Sequence, residues 1–400
     1  MGAGDEHVSG PQYGELKNPT KHFNGSSNTG ICTATRCPPG GGAGSSGSYT
    51  AATPAAAPAA TPAASAKLVT FVFGDSLAEV GNNNYLQYSL AKSNYPWYGI
   101  DFVGGRATGR FTNGRTIGDI ISAKLGIASP PPYLSLSPYD DALLGGVNYA
   151  SGGAGILNDT GLYFIQRMTF DDQINCFGKT TEAIKAKVGK AAAEKLLREA
   201  VYFVGIGSND YVNNFLQPFM ADGQQYTHNE FAGLLISTLE QQLVRLYELG
   251  ARKVVLHGLG PLGCIPSQRE RSRRGRCLRM VNKWVQHFNS LVYNLVVKLN
   301  GHLPASEFAH ADTYSVVLNL ITNPQAYGFK VSNTSCCNVD TTIGGLCLPN
   351  SKMCSDRRDF VFWDAFHPTD AANVILADKL FSSLFSATPT ASNAAAITLH

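Results

Sequence analysis

Short apolar runs alternate with longer segments of helical spacing along most of the chain. Between and after the runs, residues 231–250 and 280–303 repeat apolar side chains at the spacing of amphipathic helices. Strands that alternate with helices favour a parallel sheet covered on both faces. The pattern predicts an α/β fold with about five parallel strands in one domain over residues 67–400. The five runs are KLVTFVF, GVNYA, AVYFVGIG, RKVVLHG and EFAHADT, which begin at residues 67, 146, 200, 252 and 307.

The first 66 residues have a different character. Their second half, CPPGGGAGSSGSYTAATPAAAPAATPAASA, lacks the periodic apolar residues that offset the loss of chain entropy on folding. We therefore expect residues 1–66 to be a disordered low-complexity leader. The start MGAGDEHVSG has neither the basic nor the apolar region of a signal peptide. No run reaches the roughly 18 apolar residues of a membrane-spanning helix, so we predict no transmembrane segment.

Composition sets limits on the partners of the protein. The chain has 400 residues, of which 44% are hydrophobic and 15% charged, and its formal net charge is only +3. Residues 267–279, SQRERSRRGRCLR, crowd arginines that could bind a nucleic acid or an acidic ligand. No aromatic residue interleaves them, and such runs are usually solvated loops. We predict a monomer with no nucleic-acid partner.

The cysteines fall into two groups. Cys264 and Cys277 bracket the arginine-rich segment, whereas four others lie close together in a loop rich in Gly and Asn. Zinc sites favour CxxC pairs, which are absent here, so disulfides are the better interpretation and imply an oxidising compartment. We predict the pair Cys264–Cys277 and two bridges within the second group, leaving Cys176 and the leader cysteines unassigned. The second group is Cys336, Cys337, Cys347 and Cys354.

The N-x-S/T glycosylation signals bear on location. They lie at Asn24, Asn158 and Asn333 and agree with secretion. The leader has no visible signal peptide, whereas the cysteines indicate an oxidising compartment, so the two features favour different locations. We expect a secreted protein, with an intracellular location kept as the alternative.

Polar and small residues follow each predicted strand. Ligands of open parallel sheets bind beyond the carboxyl ends of the strands, so these positions are candidates for a site. A serine, glycines, an asparagine and an Asp-x-x-His set gather there, which are the groups that acyl transfer requires. They belong to Gly74-Asp75-Ser76, Ser151-Gly152-Gly153, Gly207-Ser208-Asn209-Asp210, and Asp364 to His367 in the segment FWDAFHPTDAAN.

A nucleophile, a base and a carboxylate can be assigned from these residues. Ser76 follows the first strand, where we predict a strand-to-helix turn that exposes its hydroxyl near helix N–H donors. The hydroxyl needs a base, for which His367 is suited, with Asp364 fixing the tautomer of its ring. Pro368 favours non-helical backbone at His367, and Thr369 can cap the helix that follows.

The anion of a tetrahedral intermediate needs hydrogen-bond donors. The Ser76 amide, the Gly152 amide and the Asn209 side chain are the candidates, with Gly153 as the neighbouring alternative to Gly152. Each residue alone has a simpler explanation, since Gly and Asn are common in tight turns. The combination across separate segments favours catalysis.

Rival motifs are weaker. GLGPLG at 258–263 fits G-x-G-x-x-G, but Pro261 and the sequence after it do not open a helix. The G-x-S-x-G elbow of larger α/β-hydrolases is absent. His257 ends a predicted strand and is an alternative base, although no carboxylate is near it in the sequence. We predict no dinucleotide, other cofactor or metal.

The motifs FVFGDSLAEVGNNNYL, GVNYASGGAGIL, VGIGSNDY, LGPLGCIPSQ and FVFWDAFHPTDAAN, in this order, resemble the plant GDSL esterase/lipase branch of the SGNH hydrolases. The likeness spans roughly residues 67–387 and implies a three-layer sandwich. It assigns Ser76 as nucleophile, Asp364 and His367 as its triad partners, and Gly152 and Asn209 as oxyanion-hole residues. Glu79 stands where the family commonly has Asp.

The resemblance implies a serine esterase or lipase that hydrolyses acyl lipids or other acyl esters. An acyltransferase would use the same residues. A binding protein of the same fold is a further alternative, which loss of a triad residue would favour, and none is lost.

Overall fold

Four parallel strands form the central sheet in the computed structural model, which describes residues 68–339, 345–385 and 397. These residues fall in one compact unit, Ala64–His400. The leader predicted at 1–66 lies outside the described residues. The sheet has the order β1-β2-β3-β4, and all three pairings are parallel. Its strands are β1 Thr70–Gly74, β2 Val201–Gly205, β3 Lys253–His257 and β4 Glu307–Ala311.

The predicted strand at 146–150 is present as an extended segment without forming a regular strand. The Val72 amide donates to the Val147 carbonyl at 3.0 Å, and the Tyr149 amide donates to the Val72 carbonyl at 2.7 Å. The Ser151 amide then donates to the Gly74 carbonyl at 3.0 Å. This segment runs parallel to β1 on its free edge, so the α/β prediction is confirmed with four strands and one bridged neighbour.

Helices cover the sheet and begin at recognisable caps. In the helix His228–Glu248, named α6, the Thr227 hydroxyl accepts the Glu230 amide while the Glu230 carboxylate accepts the Thr227 amide, a reciprocal capping box. The helices predicted at 231–250 and 280–303 are confirmed as α6 and as α8, Arg279–His302. The helices are α1 Ile117–Lys124, α2 Phe170–Val188, α3 Lys190–Glu199, α4 Ser208–Asp210, α5 Asp222–Gln225, α6 His228–Glu248, α7 Pro266–Arg269, α8 Arg279–His302, α9 Thr313–Thr322 and α10 Asp370–Phe385.

Alternation along β1 divides the core into two layers. Phe71 and Phe73 face one side, where they pack with Phe177 of α2 at ring distances of 5.2 and 5.6 Å. That cluster also includes buried residues of α6 and α8. Val72 faces the other side with Ile121 of α1 and buried residues of α10. Burial of each large apolar side chain stabilises this three-layer arrangement by about 1.5–3 kcal/mol.

Two small sheets and three disulfides lie outside the central sheet. The bridges are Cys264–Cys277, Cys336–Cys354 and Cys337–Cys347, which confirms the predicted grouping. Cys176 is unpaired among the described cysteines. The arginine-rich segment forms a largely exposed loop closed by Cys264–Cys277. The small sheets pair β5 Val331–Ser335 with β8 Phe360–Phe362, and β6 Cys337–Asn338 with β7 Lys352–Met353.

In residues 68–339 and 345–385, every helix is too short or too polar to cross a membrane.

Candidate active site

Ser76 lies in a turn directly after β1. The Asp75 amide donates to the Gly205 carbonyl at 3.3 Å, and the Asp75 carboxylate accepts the Leu77 amide at 2.9 Å. A Cβ at Gly74 would lie 2.4 Å from the Gly205 carbonyl oxygen, so only glycine permits this close approach to β2. The predicted strand-to-helix turn is wrong at this point, because residues 75–78 form turns and no α-helix follows them directly. The Asp75 side chain caps the turn in place of a helix.

Ser76, His367 and Asp364 form a continuous hydrogen-bonded chain. The His367 Nε2 atom lies 2.8 Å from Ser76 Oγ, although the two residues are 291 positions apart. On the other side of the ring, His367 Nδ1 lies 2.7 Å from Asp364 Oδ1 and 2.9 Å from Oδ2. Asp364 is fully buried and His367 is 4% exposed. The structure therefore brings together the three residues that the sequence predicts as nucleophile, base and carboxylate.

The Asp364 carboxylate is held by several donors. The backbone amides of Phe366 and His367 each donate to Oδ1 at 2.9 Å, and the Tyr98 hydroxyl donates to Oδ2 at 2.7 Å. The Tyr98 oxygen in turn accepts the Cys347 amide at 2.9 Å. Burial, and next the negative charge of Asp364, raises the pKa of Tyr98 well above its usual range, so its hydroxyl keeps its proton.

Local backbone geometry fixes the position of His367. The Trp363 amide donates to the His367 carbonyl at 2.7 Å, which closes a tight turn before α10. The Thr369 hydroxyl accepts the Ala372 amide at 3.1 Å, confirming its predicted role as a cap. The Phe111 ring packs against the imidazole with centroids 5.0 Å apart and restricts its rotation.

Asn209 lies just after β2, where its side chain can donate. Its Nδ2 atom donates one hydrogen bond to the Ala154 carbonyl at 2.8 Å. Its Oδ1 atom accepts from Asn213 Nδ2 at 2.5 Å, which fixes the orientation of the amide group. Because Nδ2 carries two protons and the Ala154 carbonyl takes one, the second proton is left to donate to another acceptor. Asn209 and Ser76 line the same cavity.

Gly152 does not fit the predicted oxyanion-hole role. Its amide donates to Glu79 Oε2 at 2.6 Å, and its carbonyl accepts from Asn83 Nδ2 at 3.0 Å, so its N–H is already engaged. Gly153 lines the cavity instead, with φ of +84°. Among the described residues no acceptor takes the Gly153 amide. Of the two glycines, Gly153 is therefore the one that lines the same cavity as Ser76 and Asn209.

Glu79 accepts the Gly152 amide, a contact that the sequence did not reveal. Besides the Gly152 amide, the Glu79 carboxylate accepts the Asn83 amide at 2.6 Å. Glu79 is fully buried, and burial raises its pKa from 4.5 to about 8. The Glu79 side chain thus joins the segment after β1, which contains Asn83, to the segment that contains Gly152.

The stability of the protein should depend on pH through Glu79. Between pH about 4.5 and 8, the folded state keeps a proton on Glu79 that the unfolded chain has released. The free energy of unfolding therefore falls as pH rises across this window, by up to about 1.4 kcal/mol per pH unit from this group. Glu79→Gln should remove that part of the slope in urea unfolding at pH 5 and pH 8. The same pH slope in Glu79→Gln as in the wild type would contradict this assignment. Glu182→Gln, at an exposed glutamate, is the control and should leave the slope unchanged.

His257, the alternative base, lies away from this chain of contacts. It ends β3 with its ring 6.3 Å from that of Phe203. Burial, and next the nearby His310, lowers its pKa to about 4. The histidine in contact with Ser76 is His367.

A cavity of about 440 Å³ opens over these groups. Ser76, His367, Gly153 and Asn209 contribute polar atoms to a wall that is otherwise mostly aliphatic and aromatic. Within residues 68–339 and 345–385, no group of three or more His, Cys, Asp or Glu side chains is arranged to hold a metal. The arrangement can deliver a hydroxyl nucleophile, remove its proton and donate hydrogen bonds to an oxyanion. The apolar part of the wall includes Phe111, Ile117, Val212, Leu262, Ile265 and Val317.

Comparison with known proteins gives consistent matches. The chain is 70% identical over 322 residues to GDSL esterase/lipase At5g37690 of Arabidopsis thaliana, covering 80% of this chain and 90% of that protein. It is 46% identical over 316 residues to GDSL esterase/lipase At1g74460 of the same plant, covering 78% and 86%.

Among solved structures, LAE5, an alpha/beta hydrolase enzyme from the metagenome of Lake Arreo, Spain, matches with 11% identity and a TM-score of 0.37. The match covers 79% of this chain and 94% of that one. The family model described as GDSL-like Lipase/Acylhydrolase matches residues 70–380. From this match and the two plant relatives, we conclude that the chain belongs to the GDSL-like lipase/acylhydrolase family.

Proposed function

We propose that this protein hydrolyses carboxylic esters through an acyl-enzyme on Ser76. The observation that carries the proposal is the hydrogen-bonded chain from Ser76 Oγ through His367 to Asp364, on the wall of a cavity that also holds oxyanion donors. Membership of a lipase/acylhydrolase family, and relatives named esterase/lipase, support the same reaction class.

The first half-reaction transfers the acyl group to the enzyme. Ser76 Oγ attacks the ester carbonyl carbon while His367 Nε2 takes the hydroxyl proton, and Asp364 stabilises the resulting imidazolium. The carbonyl oxygen becomes an oxyanion that accepts hydrogen bonds from the Ser76 amide, the Gly153 amide and Asn209 Nδ2. The tetrahedral intermediate collapses when the bond to the alkoxide breaks and His367 gives the proton to the leaving alcohol.

The second half-reaction releases the acid. Water loses a proton to His367 Nε2 and attacks the acyl carbon. The second oxyanion that forms accepts hydrogen bonds from the same three donors. When the bond to Ser76 Oγ breaks, His367 returns the proton to the serine. The products are one carboxylic acid and one alcohol, and no cofactor takes part.

The cavity favours substrates with apolar acyl groups. Most of its wall is aliphatic or aromatic, so burial of a hydrocarbon chain there is favourable by about 25 cal/mol per Å². We infer an acyl lipid or another small-molecule acyl ester as substrate. We also propose that the protein is secreted. Three disulfides, and the exposed asparagines of two glycosylation signals, Asn158 and Asn333, support an oxidising compartment.

The mechanism predicts covalent labelling at one serine. The purified protein should hydrolyse an aryl acetate, and an aryl phosphonate should stop that hydrolysis and leave a phosphonyl group on Ser76, as read by peptide mass spectrometry. Adding excess alcohol and measuring new ester against free acid would separate hydrolysis from acyl transfer. Labelling at another serine would refute the mechanism, and a folded, unlabelled and inactive protein would favour a binding role.

A further inference from the structure

A second, smaller cavity adjoins the first one. Its volume is about 100 Å³, and it lies between the sheet and helix α1, where Val72 and Phe203 of the strands face Ile121 of the helix. We call this space the side chamber. Its wall and that of the main cavity share residues next to Ser76, so the two spaces lie on either side of these residues. The shared residues are Asp75, Leu77, Ile117, Ser208, Gly260 and Thr313.

Glycines leave this space open. A Cβ on Gly118 of α1 would have Thr116 Oγ1, 3.7 Å away, as its nearest neighbour. A Cβ on Gly205, at the end of β2, would come no closer than 3.8 Å to the His257 side chain. Neither glycine has a positive φ, so neither is required by the backbone. Both positions could hold a larger side chain, and both line the chamber.

The wall of the side chamber suits a hydrocarbon. Val72, Ile121 and Phe203 supply apolar surface, and burial of methylene groups against such surface is favourable. His257 lines the chamber with its pKa lowered to about 4, so its ring is uncharged at neutral pH. Asp75 is the acidic group on the wall, and its carboxylate already accepts the Leu77 amide. An ionic ligand would lose its hydration without gaining a charged partner of opposite sign.

We propose that the side chamber receives the distal part of a long acyl chain whose carbonyl carbon lies at Ser76. The inference rests on the proposed ester hydrolysis and adds a determinant of chain length to it. A short acyl group ends within the main cavity, whereas a long chain turns past Leu77 and Ile117 into the chamber. Gly118 is then a specificity-determining residue, because its missing side chain leaves room for the chain end.

Filling the chamber should shorten the preferred acyl chain. Each methylene of the acyl chain that is displaced from apolar surroundings lowers kcat/KM by about fourfold. Gly118→Leu should therefore reduce kcat/KM for an aryl palmitate at least about tenfold, while kcat/KM for the aryl acetate stays within twofold. Gly118→Ala should have a smaller effect in the same direction. Gly233→Leu is the matched control, since Gly233 is an exposed glycine in helix α6 with no atom within 4 Å of a new Cβ.

A binding measurement separates failure of this inference from failure of the proposed reaction. In the Ser76→Ala background, Gly118→Leu should weaken the affinity for palmitate at least about tenfold and leave octanoate affinity unchanged. Equal losses for both acids, or no loss for either, would overturn the side-chamber assignment even if wild-type Ser76 is labelled normally. If wild-type protein neither hydrolyses esters nor labels at Ser76, the proposed reaction fails. The binding measurement then still tests whether the side chamber receives a long acyl chain, since only that role predicts a selective loss of palmitate affinity. Gly118→Ala provides the same comparison if the leucine variant does not fold.

Discussion

Ser76→Ala and His367→Ala should each lower kcat for an aryl acetate by about 10⁴-fold or more. The serine variant has no hydroxyl to attack the ester, and the histidine variant has no base within 2.8 Å of Ser76 Oγ. Because the two residues act as one unit, the double variant should be little slower than either single variant. Steady-state kinetics on the three proteins, corrected for the folded fraction by circular dichroism, makes the test.

The matched control for this loss is Ser237→Ala. Ser237 is an exposed serine on α6 whose hydroxyl donates only to the Leu234 carbonyl. Its removal should leave kcat unchanged. Full activity in Ser76→Ala, or additive losses in the double variant, would show that the two side chains do not form a nucleophile and base.

Asp364→Asn should lower kcat by about 10⁴-fold while the protein stays folded. The four groups around this carboxylate, two backbone amides, the Tyr98 hydroxyl and His367 Nδ1–H, are all donors. An asparagine must point its own NH₂ at one of them. If it faces His367, it stabilises the tautomer in which Nε2 carries the proton and cannot accept one from Ser76.

The pH dependence separates this explanation from a loss of structure. In Asp364→Asn, activity should recover partly at alkaline pH, where hydroxide can take the serine proton in place of the imidazole. Asp359→Asn removes a carboxylate paired with Lys330 outside the site and should leave the profile unchanged. A wild-type kcat in Asp364→Asn would contradict the role of the carboxylate.

The residues of the candidate site could be predicted because they follow simple topological rules. Ser76 and Asn209 each follow a strand of a parallel sheet, and the carboxyl ends of neighbouring strands meet at one edge. Asp364 and His367 are three positions apart on one turn, so their contact is local. These rules need only the hydrophobic pattern and the order of the segments.

Other contacts depend on loop paths that no local pattern encodes. Glu79 reaches Gly152 across 73 positions, and Tyr98 reaches Asp364 across 266. The helix expected after Ser76 is limited to one turn, in which the Ala78 and Glu79 amides donate to the Asp75 carbonyl at 3.1 Å and the Asp75 side chain accepts the Leu77 amide. The segment at 146–150 has a strand pattern but makes only isolated bridges, with β1 on one side and with Pro132 on the other.

The Cys337–Cys347 bridge connects the oxidation state of the protein to its candidate site. Cys347 donates its amide to the Tyr98 hydroxyl, which donates to the Asp364 carboxylate. Reduction of this bond would release the segment that carries Cys347 and take away one of the groups that orient Tyr98. A chain in which this bond is reduced would thus lack part of the support for Tyr98 and, through it, for the Asp364 carboxylate.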